Sequence, residues 1–406
     1  MKNTPKLRFK EFSGEWESRR FKDIIKETRL GGNYANTGNK TDYPLIKMGN
    51  IARGKIDLSK IEYIPEEEAI NNDDILKHGD LLFNTRNTLD LVGKVSVWRN
   101  ELDLAYYNSN LMKLVFDEKF IDNNYFMNYL FNTRTVLSRL KAIATGTTSV
   151  AAIYTRDLQN IKLEYPCLEE QEKIASLFSL IDDKISLQGD KVEALKDYKK
   201  GMMQKIFSRE LRFKDDEGRD YPDWEKIKMG DITVKVGPKN KDNYNYEVYS
   251  INNKVGFIPQ NEQFEGSRLD SLDKSLYKIV NKGEFAYNPA RINVGSIGVL
   301  EEDKTVIVSS LYVCFKLVEN MDYRFFNQYF SYPEFNKSVI RNTEGSVREY
   351  LFYENFSCIK MYIPCLEEQI KIADCLTTLD KKLEKEEEKL ERLNEYKKGL
   401  LQQMFI

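Results

Sequence analysis

The clearest pattern in the chain is a pair of stretches in which apolar residues alternate at spacings of three and four. The first stretch contains Ile174, Phe178, Ile181, Ile185, Val192, Leu195, Met202 and Ile206. The second contains Ile372, Leu376, Leu379, Leu383, Leu390, Leu393, Leu400 and Met404. This spacing is typical of a coiled-coil seam. It predicts two long helices that pair through Ile174, Ile181, Ile185, Val192, Leu195, Ile372, Leu379, Leu383, Leu390 and Leu393.

The ends and the interruptions of the two seams also match. A proline precedes each predicted helix, at Pro166 and Pro364, and a pair of glutamates follows in each first turn, as helix N-termini favour. Polar residues interrupt the seams at corresponding places: Gln188 with Glu386, and Lys199 with Lys397. Gly189 and Gly201 are poor helix formers, so a kink or an early end of the first helix stays open.

The two seams belong to an internal duplication. Residues 166–171 recur letter for letter at residues 364–369, and residues 198–201 recur at 396–399 with the same offset. The match extends more weakly upstream to two further pairs of segments: 7–10 with 211–214, and 79–84 with 283–288. The chain therefore consists of a globular domain, a tail, a second globular domain and a second tail. The tails are close copies, whereas the globular domains share only a framework.

The globular parts combine predicted strands with predicted helices. Runs rich in β-branched and aromatic residues predict strands at 94–98, 111–116 and 305–308, and a helical pattern covers 123–142. The fold class is therefore a mixture of α+β and α/β, and we expect the two duplicated globular domains to be separated by two long antiparallel helices with pseudo-twofold symmetry. The predicted boundaries are 1–166 and 209–364 for the domains, and 167–208 and 365–406 for the helices.

Composition places the chain among folded proteins outside the membrane. Of its 406 residues, 41% are hydrophobic, and no run approaches the roughly 18 apolar residues of a membrane span. The N-terminus has no apolar core of a signal peptide, so we expect a cytoplasmic protein. Five cysteines without a Cys-x-x-Cys pair argue against a disulfide framework or a zinc site. We interpret them as small buried hydrophobic residues.

Loops between the predicted elements carry the side chains that read DNA bases and hold phosphates. Arginine pairs well with guanine and asparagine with adenine, while serine and threonine hold phosphate. The candidates in the first domain are Lys47, Asn50, Arg53, Asn84, Arg86, Asn87, Thr147, Thr148 and Ser149. Those in the second domain are Asn252, Lys254, Asn288, Arg291, Asn293, Ser346 and Arg348. The alternative for each loop is that these residues only form turns.

The balance of charge speaks against an isolated DNA-binding protein. The chain has 62 basic and 64 acidic residues, a net charge of −2, whereas many DNA-binding proteins are basic. A nearly neutral chain still binds DNA if its positive charge lies on one face, or if partners neutralise much of the phosphate backbone. We favour both, and the second implies a complex.

Two domains joined by long helices suit a DNA target with two separated half-sites. Helices of about 40 residues are roughly 60 Å long. If they run antiparallel, the first carries the chain from one domain to the other and the second returns, so the two domains lie one or more turns of duplex apart. The helices then act as a spacer whose length sets how many base pairs go unread. The alternative is that each helix packs only on its own domain.

The residues of an enzyme active site are not apparent. His78 is the only histidine, which excludes catalytic and metal sites built from several histidines, and we expect a surface role for it. There is no Gly-x-x-x-x-Gly-Lys-Ser/Thr loop for ATP. The acidic pairs Asp73-Asp74, Asp182-Asp183 and Asp215-Asp216 have no further residues of a nuclease nearby and are interpreted as solvated charge.

The segment Pro-Cys-Leu-Glu-Glu-Gln, followed shortly by Lys-Ile-Ala and present twice, resembles the specificity subunit of type I restriction-modification systems. That family usually has a second proline where this chain has Cys167 and Cys365. The resemblance covers essentially the whole chain and implies that each domain reads half of a bipartite target. It implies double-stranded DNA as a partner, two methyltransferase subunits that bind S-adenosylmethionine and methylate adenine, and restriction subunits that use ATP and Mg²⁺. No cofactor is expected on this chain.

Two other classes of function stay open from the sequence. The chain could be a self-contained restriction or modification enzyme, which requires an active site that the residues do not display. It could also be a coiled-coil scaffold that joins two protein-binding domains, in which case affinity for partners would not depend on DNA. The specificity subunit predicts sequence-specific DNA binding mainly in the presence of a modification subunit.

Overall fold

The two apolar seams form continuous helices in the computed structural model of the protein. The first long helix spans Leu168–Phe207 and the second spans Leu366–Met404. Each begins one residue after its predicted start, and each ends one or two residues before its predicted end. Gly189 and Gly201 lie inside the first long helix without interrupting it, because the seam residues on both sides supply the packing that glycine lacks.

The structure describes residues 4–253, 256–260, 274–343 and 350–406. The chain divides into two units, one made of Met1–Asp190 with Glu388–Ile406 and the other of Lys191–Glu387. The first unit thus contains the first globular domain, the beginning of the first long helix and the end of the second. The second unit contains the second globular domain, the end of the first long helix and the beginning of the second.

The first domain is built around an antiparallel sheet with the strand order β2-β9-β5-β7. Its described strands are β1 (Glu17–Arg20), β2 (Ile25–Leu30), β3 (Pro44–Ile46), β4 (Glu62–Tyr63), β5 (Leu81–Asn84), β6 (Arg86–Asn87), β7 (Val95–Val97), β8 (Tyr106–Tyr107), β9 (Leu111–Phe116), β10 (Thr145–Gly146), β11 (Ala151–Ala152) and β12 (Lys162–Tyr165). Further sheets have the orders β4-β3-β8, β10-β11-β6 and β1-β12. The strands predicted at 94–98 and 111–116 are confirmed.

The second domain repeats this topology. Its described strands are β13 (Glu225–Lys228), β14 (Thr233–Val236), β15 (Glu247–Asn252), β16 (Gly256–Pro259), β17 (Lys278–Val280), β18 (Phe285–Tyr287), β19 (Ile297–Val299), β20 (Val306–Val308), β21 (Val313–Leu317) and β22 (Lys360–Ile363). The sheet β14-β21-β18-β19 corresponds to β2-β9-β5-β7, and the parallel pair β15 and β20 corresponds to β3 and β8. The duplication seen in the sequence is therefore a duplication of the fold.

The central strand of each main sheet faces two hydrophobic cores. Leu81 and Phe83 of β5 point into the larger core of the first domain, whereas Leu82 between them points into a smaller one. In β18, Phe285 points into the larger core of the second domain and Ala286 points into the smaller one. Alternation along a strand sends neighbouring side chains to opposite faces, so a strand covered on both faces is apolar at every position.

The helix predicted over 123–142 is two helices in the structure. Asn123 caps the first, Asn124–Phe131, by accepting a 3.0 Å hydrogen bond from the backbone N–H of Phe126. Thr133 then caps a new helix, Arg134–Ile143, through the N–H of Val136. The single-helix prediction was wrong because the capping hydroxyl of Thr133 stabilises an extended residue inside the apolar pattern.

Shorter helices complete both domains. The first domain also has the helix Thr155–Leu158 and 3₁₀ turns at Phe21–Asp23 and Asn72–Asp74. The second domain has helices Met229–Ile232, Tyr323–Phe330, Pro333–Asn342 and Tyr353–Ser357, with 3₁₀ turns at Lys274–Leu276 and Ile292–Val294. The pair Tyr323–Phe330 and Pro333–Asn342 takes the place that the two capped helices take in the first domain.

Within each unit the two long helices run antiparallel. In the first unit, Ile174 and Phe178 from the start of the first long helix share a core with Met404 from the end of the second. In the second unit, Ile206 from the end of the first shares a core with Ile372 from the start of the second. The helices therefore pack on the domains and on each other, and the alternative in which each packs only on its own domain was wrong.

The two lysines that interrupt the seams, Lys199 and Lys397, form ion pairs across the helices. Lys199 forms an ion pair with Asp380, whose other carboxylate oxygen accepts from Gln328 of the second domain. In the first unit, Lys397 pairs with Asp182, which also accepts a 2.8 Å hydrogen bond from a domain side chain, the Tyr129 hydroxyl. Half-buried polar pairs of this kind fix helix register, because a shift along the seam would leave a charge without its partner.

The repeated Glu-Gln of the tail segment attaches each long helix to its domain. Glu170 and Glu368 are completely buried, and each carboxylate binds the guanidinium of an arginine near the start of its unit's domain, Arg8 or Arg212. The neighbouring Gln171 donates a hydrogen bond of 2.8 Å to the backbone oxygen of Phe120. In both copies the glutamate binds an arginine, and the glutamine donates a 2.9 Å hydrogen bond to the carbonyl oxygen of the proline that precedes the helix.

The cysteines only partly follow the expectation that they are buried. Cys314 is buried, Cys365 and Cys375 are half-buried, and Cys167 and Cys358 are exposed. The expectation was wrong for the last two, since both lie in connecting segments rather than on an apolar face. Across the described ranges of the chain, none of the helices has an apolar stretch long enough to cross a membrane.

Candidate nucleic-acid interface

A small sheet joins the two predicted DNA-binding loops of the first domain. Arg86 and Asn87 of β6 pair with Ala152 and Ala151 of β11, which in turn pairs with β10. The hairpin between β10 and β11 presents the three candidate hydroxyl residues, all exposed: Thr147, Thr148 and Ser149. The fold thus brings loops that are about 60 residues apart in the sequence to one edge of the domain.

The shape of this hairpin depends on Gly146. Its φ is +123°, and a Cβ atom at this position would lie 2.3 Å from the carbonyl oxygen of Val150. The turn closes through the N–H of Thr147, which donates to the same oxygen at 2.8 Å. A further backbone bond of 3.1 Å, from Leu89 to the carbonyl of Thr148, fastens the tip to the loop after β6.

Two candidate asparagines of the first domain are buried and serve the backbone. The side-chain oxygen of Asn84 accepts a 3.1 Å hydrogen bond from the N–H of Arg86, and its amide donates to the carbonyl of Met48. The side chain of Asn50 accepts from the N–H of Lys47 and donates to the carbonyl oxygens of Asp57 and Lys60. These amides therefore hold the loops in shape, and neither side chain reaches the surface.

The three cationic candidates of the first domain differ in their surroundings. Lys47 forms a 2.8 Å ion pair with Glu62. Arg53 is half-buried, donates to the carbonyl oxygen of Asp90 at 3.0 Å, and has its pKa lowered by burial. Arg86 is exposed, and no carboxylate of the described residues forms an ion pair with it. Of the three, Arg86 is the one presented to solvent without an internal charge partner.

In the second domain the candidates Asn288, Arg291 and Asn293 lie in the segment that follows β18, and Asn252 lies at the end of β15. The side chain of Asn288 accepts a 3.0 Å hydrogen bond from the N–H of Ala290, and Arg291 lies exposed at the end of this turn. Asn252 and Asn293 line a common depression of about 780 Å³. The candidates Lys254, Ser346 and Arg348 lie outside the described residues.

Two exposed aromatic residues next to these loops were missed from the sequence. Tyr154 follows β11 in the first domain, and Phe352 precedes the helix Tyr353–Ser357 in the second. The offset that relates the two tails places these residues at the same position of the repeat. Extending the tail alignment upstream past residue 166 would have shown the correspondence.

The described residues contain no cluster of three or more histidine, cysteine, aspartate or glutamate side chains with the geometry of a metal site. His78 is exposed, and its Nε2 lies 3.1 Å from the hydroxyl of Tyr125.

Comparison with known proteins assigns a family. The model of the type I restriction modification DNA specificity domain matches the chain twice, over residues 13–197 and 221–395. The chain belongs to this family. Each match begins near the start of one globular domain and extends along most of the following long helix. The specificity-domain family therefore accounts for both halves of the duplication, and it assigns them DNA recognition rather than a chemical step.

Relatives and solved structures agree with this assignment. Two relatives are the specificity subunits of the type I restriction enzymes MjaX and MjaVIII of Methanocaldococcus jannaschii. They are 27% and 24% identical to the chain, and the matches cover 98% and 97% of its length. The matches span 95% and 94% of those proteins. The crystal structure of a type I system S subunit from M. genitalium has a TM-score of 0.61, with 17% identity and 99% of each chain covered. A structure from a study of complex assembly of the type I system has a TM-score of 0.54 and 14% identity. The mixed α/β fold with duplicated specificity domains and long helices is confirmed.

Proposed function

We propose that the two specificity domains of this chain read the two halves of a divided DNA target, and that the chain directs adenine methylation and restriction by partner subunits. The single observation that carries the proposal is the double match to the DNA specificity domain, one copy on each half of the duplicated fold. Because the domains share a framework and differ in their loops, each is suited to its own sequence. The target then needs no palindromic symmetry.

The proposed interface of the first domain is the edge formed by β6 and the hairpin from β10 to β11. Arg86 offers two parallel N–H donors that match guanine in the major groove. The side-chain oxygen of Asn87 accepts a 2.9 Å hydrogen bond from the N–H of Thr88, and its NH2 group is a donor suited to the N7 atom of adenine. The exposed hydroxyls of the hairpin suit phosphate oxygens. Asn50 and Asn84 are assigned a positioning role, since their amides are used inside the domain.

The proposed interface of the second domain is the turn after β18 with the depression beside it. Arg291 is exposed at the end of the turn, and Asn252 and Asn293 line the depression. Arg291→Ala should weaken recognition of one half-site by about 1–3 kcal/mol if the guanidinium reads a base. Arg86→Ala should have the same effect on the other half-site, so each variant is the control for the other.

Methylation mapping tests this assignment. Three samples of DNA are modified by complexes that contain the wild-type chain, Arg86→Ala or Arg291→Ala. Sequencing of the methylated adenines in each sample gives the two half-sites and shows which variant relaxes which half-site. The proposed function is supported if each variant relaxes one half and leaves the other intact. An equal loss on all DNA would instead identify a phosphate contact, and unmethylated DNA with the wild-type complex would refute the function.

We further propose that the long helices set the spacing between the half-sites. Both are continuous and pair antiparallel in each unit, so their length is fixed by backbone hydrogen bonds rather than by a flexible linker. Inserting seven residues after Gln188 and seven after Glu386 retains the phase of both seams and lengthens each helix by about 10 Å. The unread gap should then grow by about three base pairs, while both half-sites keep their sequence. An unchanged gap would refute the spacer role.

The expected partners are two methyltransferase subunits, which bind S-adenosylmethionine, and restriction subunits that use ATP and Mg²⁺. The support from this chain is that the long helices expose large apolar side chains away from their seam: Leu180, Leu187, Tyr198 and Tyr396. The near-neutral charge of the chain also favours shared contact with DNA. Affinity for the mapped target should rise markedly when the modification subunits are added, as measured by fluorescence anisotropy with a labelled duplex.

A further inference from the structure

Two exposed aromatic rings occupy the same position in the two domains. Tyr154 immediately precedes the helix Thr155–Leu158, and Phe352 immediately precedes the helix Tyr353–Ser357. The exposed fractions of the two residues are 45% and 48%. A single exposed aromatic residue needs no explanation, but two at equivalent places in domains that differ almost everywhere else do.

The backbone ties each ring to the proposed DNA-binding loop of its domain. The residue before Tyr154 is the buried Ile153, whose N–H donates a 2.9 Å hydrogen bond to the carbonyl of Thr85. The residue before Phe352 is the buried Leu351, whose N–H donates a 3.1 Å hydrogen bond to the carbonyl oxygen of Pro289. Each aromatic residue is therefore held beside the turn that carries the exposed arginine of its domain.

Each ring has one planar neighbour within its own segment. The guanidinium of Arg156 lies 5.4 Å from the centroid of the Tyr154 ring. The Phe352 ring stacks on Tyr350 with a centroid separation of 5.8 Å and an interplanar angle of 8°. The rest of each ring's surface is exposed and available to a ligand.

In the first domain the ring borders a depression of about 290 Å³. Apolar side chains, Leu30 and Met112, and the polar side chains of Arg86 and Asn110 also line it. Leu30 is itself 53% exposed. An apolar surface rimmed by donors and acceptors fits the major-groove edge of a base pair, where the nonpolar methyl group of thymine lies beside hydrogen-bonding atoms.

We infer that Tyr154 and Phe352 are base-contacting residues, each packing against the nonpolar surface of one base in the half-site that its domain reads. The inference rests on the proposed function and adds specific residues to it. The arginine of each domain reads the polar edge of a base, and the ring beside it excludes water from that contact. Truncation of the ring should lower affinity for one half-site and leave the fold intact, because half of each residue is exposed.

The test uses the full chain assembled with its modification subunits and a duplex carrying the mapped target. Tyr154→Ala should raise the Kd about tenfold for the full target, whereas Tyr154→Phe, which retains the ring, should stay within about twofold. On a duplex whose corresponding half-site is scrambled, Tyr154→Ala should bind as wild type does. Phe352→Ala should behave in the same way on the other half-site. Tyr244→Ala, which removes a ring of similar exposure elsewhere in the second domain, is the matched control and should not change the Kd.

An abasic scan identifies the contacted base. Single bases of the half-site are removed one at a time, and the Kd of wild type and of Tyr154→Ala is compared at each position. At the contacted base, the loss of affinity from the missing base and the loss from Tyr154→Ala should not add, because either change alone already removes the contact. Additive losses at every position, or an unchanged Kd for Tyr154→Ala on the full target, would overturn the inference alone. A wild-type complex that binds target and scrambled duplexes equally would overturn the proposed function.

Discussion

Removal of the Arg8 side chain should destabilise its unit more than removal of Arg212 destabilises the other unit. Glu170 accepts hydrogen bonds from Arg8 at 2.8 and 2.7 Å, and no other donor among the described residues reaches its carboxylate. Glu368 accepts two 2.8 Å bonds from Arg212, but also one of 3.1 Å from the indole of Trp224 and one of 3.3 Å from a backbone N–H. The duplicated ion pair is thus supported differently in its two copies.

The difference follows from the cost of leaving a buried charge without partners. Both glutamate side chains are completely buried, whereas Arg8 and Arg212 are 16% and 24% exposed. Removing one partner of a buried pair costs about 3–5 kcal/mol, so Arg8→Ala should lower the free energy of unfolding by about that amount. In Arg212→Ala the carboxylate of Glu368 retains its two other hydrogen-bond donors. Because hydrogen bonds to charged groups contribute roughly 1.5–3 kcal/mol each, the free energy of unfolding should fall by only about 1–3 kcal/mol.

Urea unfolding followed by tryptophan fluorescence separates the two cases, because Trp16 and Trp98 report on the first unit and Trp224 on the second. Arg19→Ala, which breaks an exposed ion pair with Glu17, is the control and should cost at most about 1 kcal/mol. Adding Glu170→Gln to Arg8→Ala should recover stability, since it removes the unpaired charge. Equal losses for Arg8→Ala and Arg212→Ala, or the reverse order, would refute the reasoning.

Three further predictions concern the helix pair, the hairpin and the response to pH. Exchanging the charges of Lys199 and Asp380 should restore part of the stability that reversal of either single charge removes. A double-mutant cycle should give a coupling energy of about 0.5–3 kcal/mol, and a coupling energy of zero would contradict the role of the pair in helix register. Gly146→Ala should reduce affinity for one half-site only, measured with scrambled duplexes, because its φ of +123° and the nearby Val150 carbonyl exclude a Cβ. Burial, aided by a hydrogen bond to Asp74, raises the pKa of Tyr34 to about 12. The folded state therefore favours the neutral phenol, so this contribution to stability is complete below the unfolded pKa near 10 and is lost as the pH rises towards 12. Urea titrations at pH 8 and pH 11 should show a smaller loss for Tyr34→Phe than for wild type, and identical losses would contradict the prediction.

The candidate interface was only partly accessible from the sequence. The loops that follow β5 and β18 were predicted to carry DNA-binding residues, and the fold presents Arg86 and Arg291 there at the surface. The sequence did not separate these from Asn50 and Asn84, whose amides are buried in hydrogen bonds to the backbone. An asparagine in a turn has the same local signature in both situations, because the fold decides whether its amide faces solvent or backbone groups, as the amide of Asn84 faces the carbonyl of Met48.

The sequence by itself determined the long helices, their seams and the duplication, because a heptad pattern is local and a repeated segment is legible without any knowledge of contacts. Only the tertiary structure decided what depends on distant neighbours. It split the helical pattern at Thr133, exposed Cys167, and brought the hairpin after β10 to β6. The physical reason is that periodicity fixes which face of an element is apolar, whereas burial, pairing and charge depend on which other element covers that face.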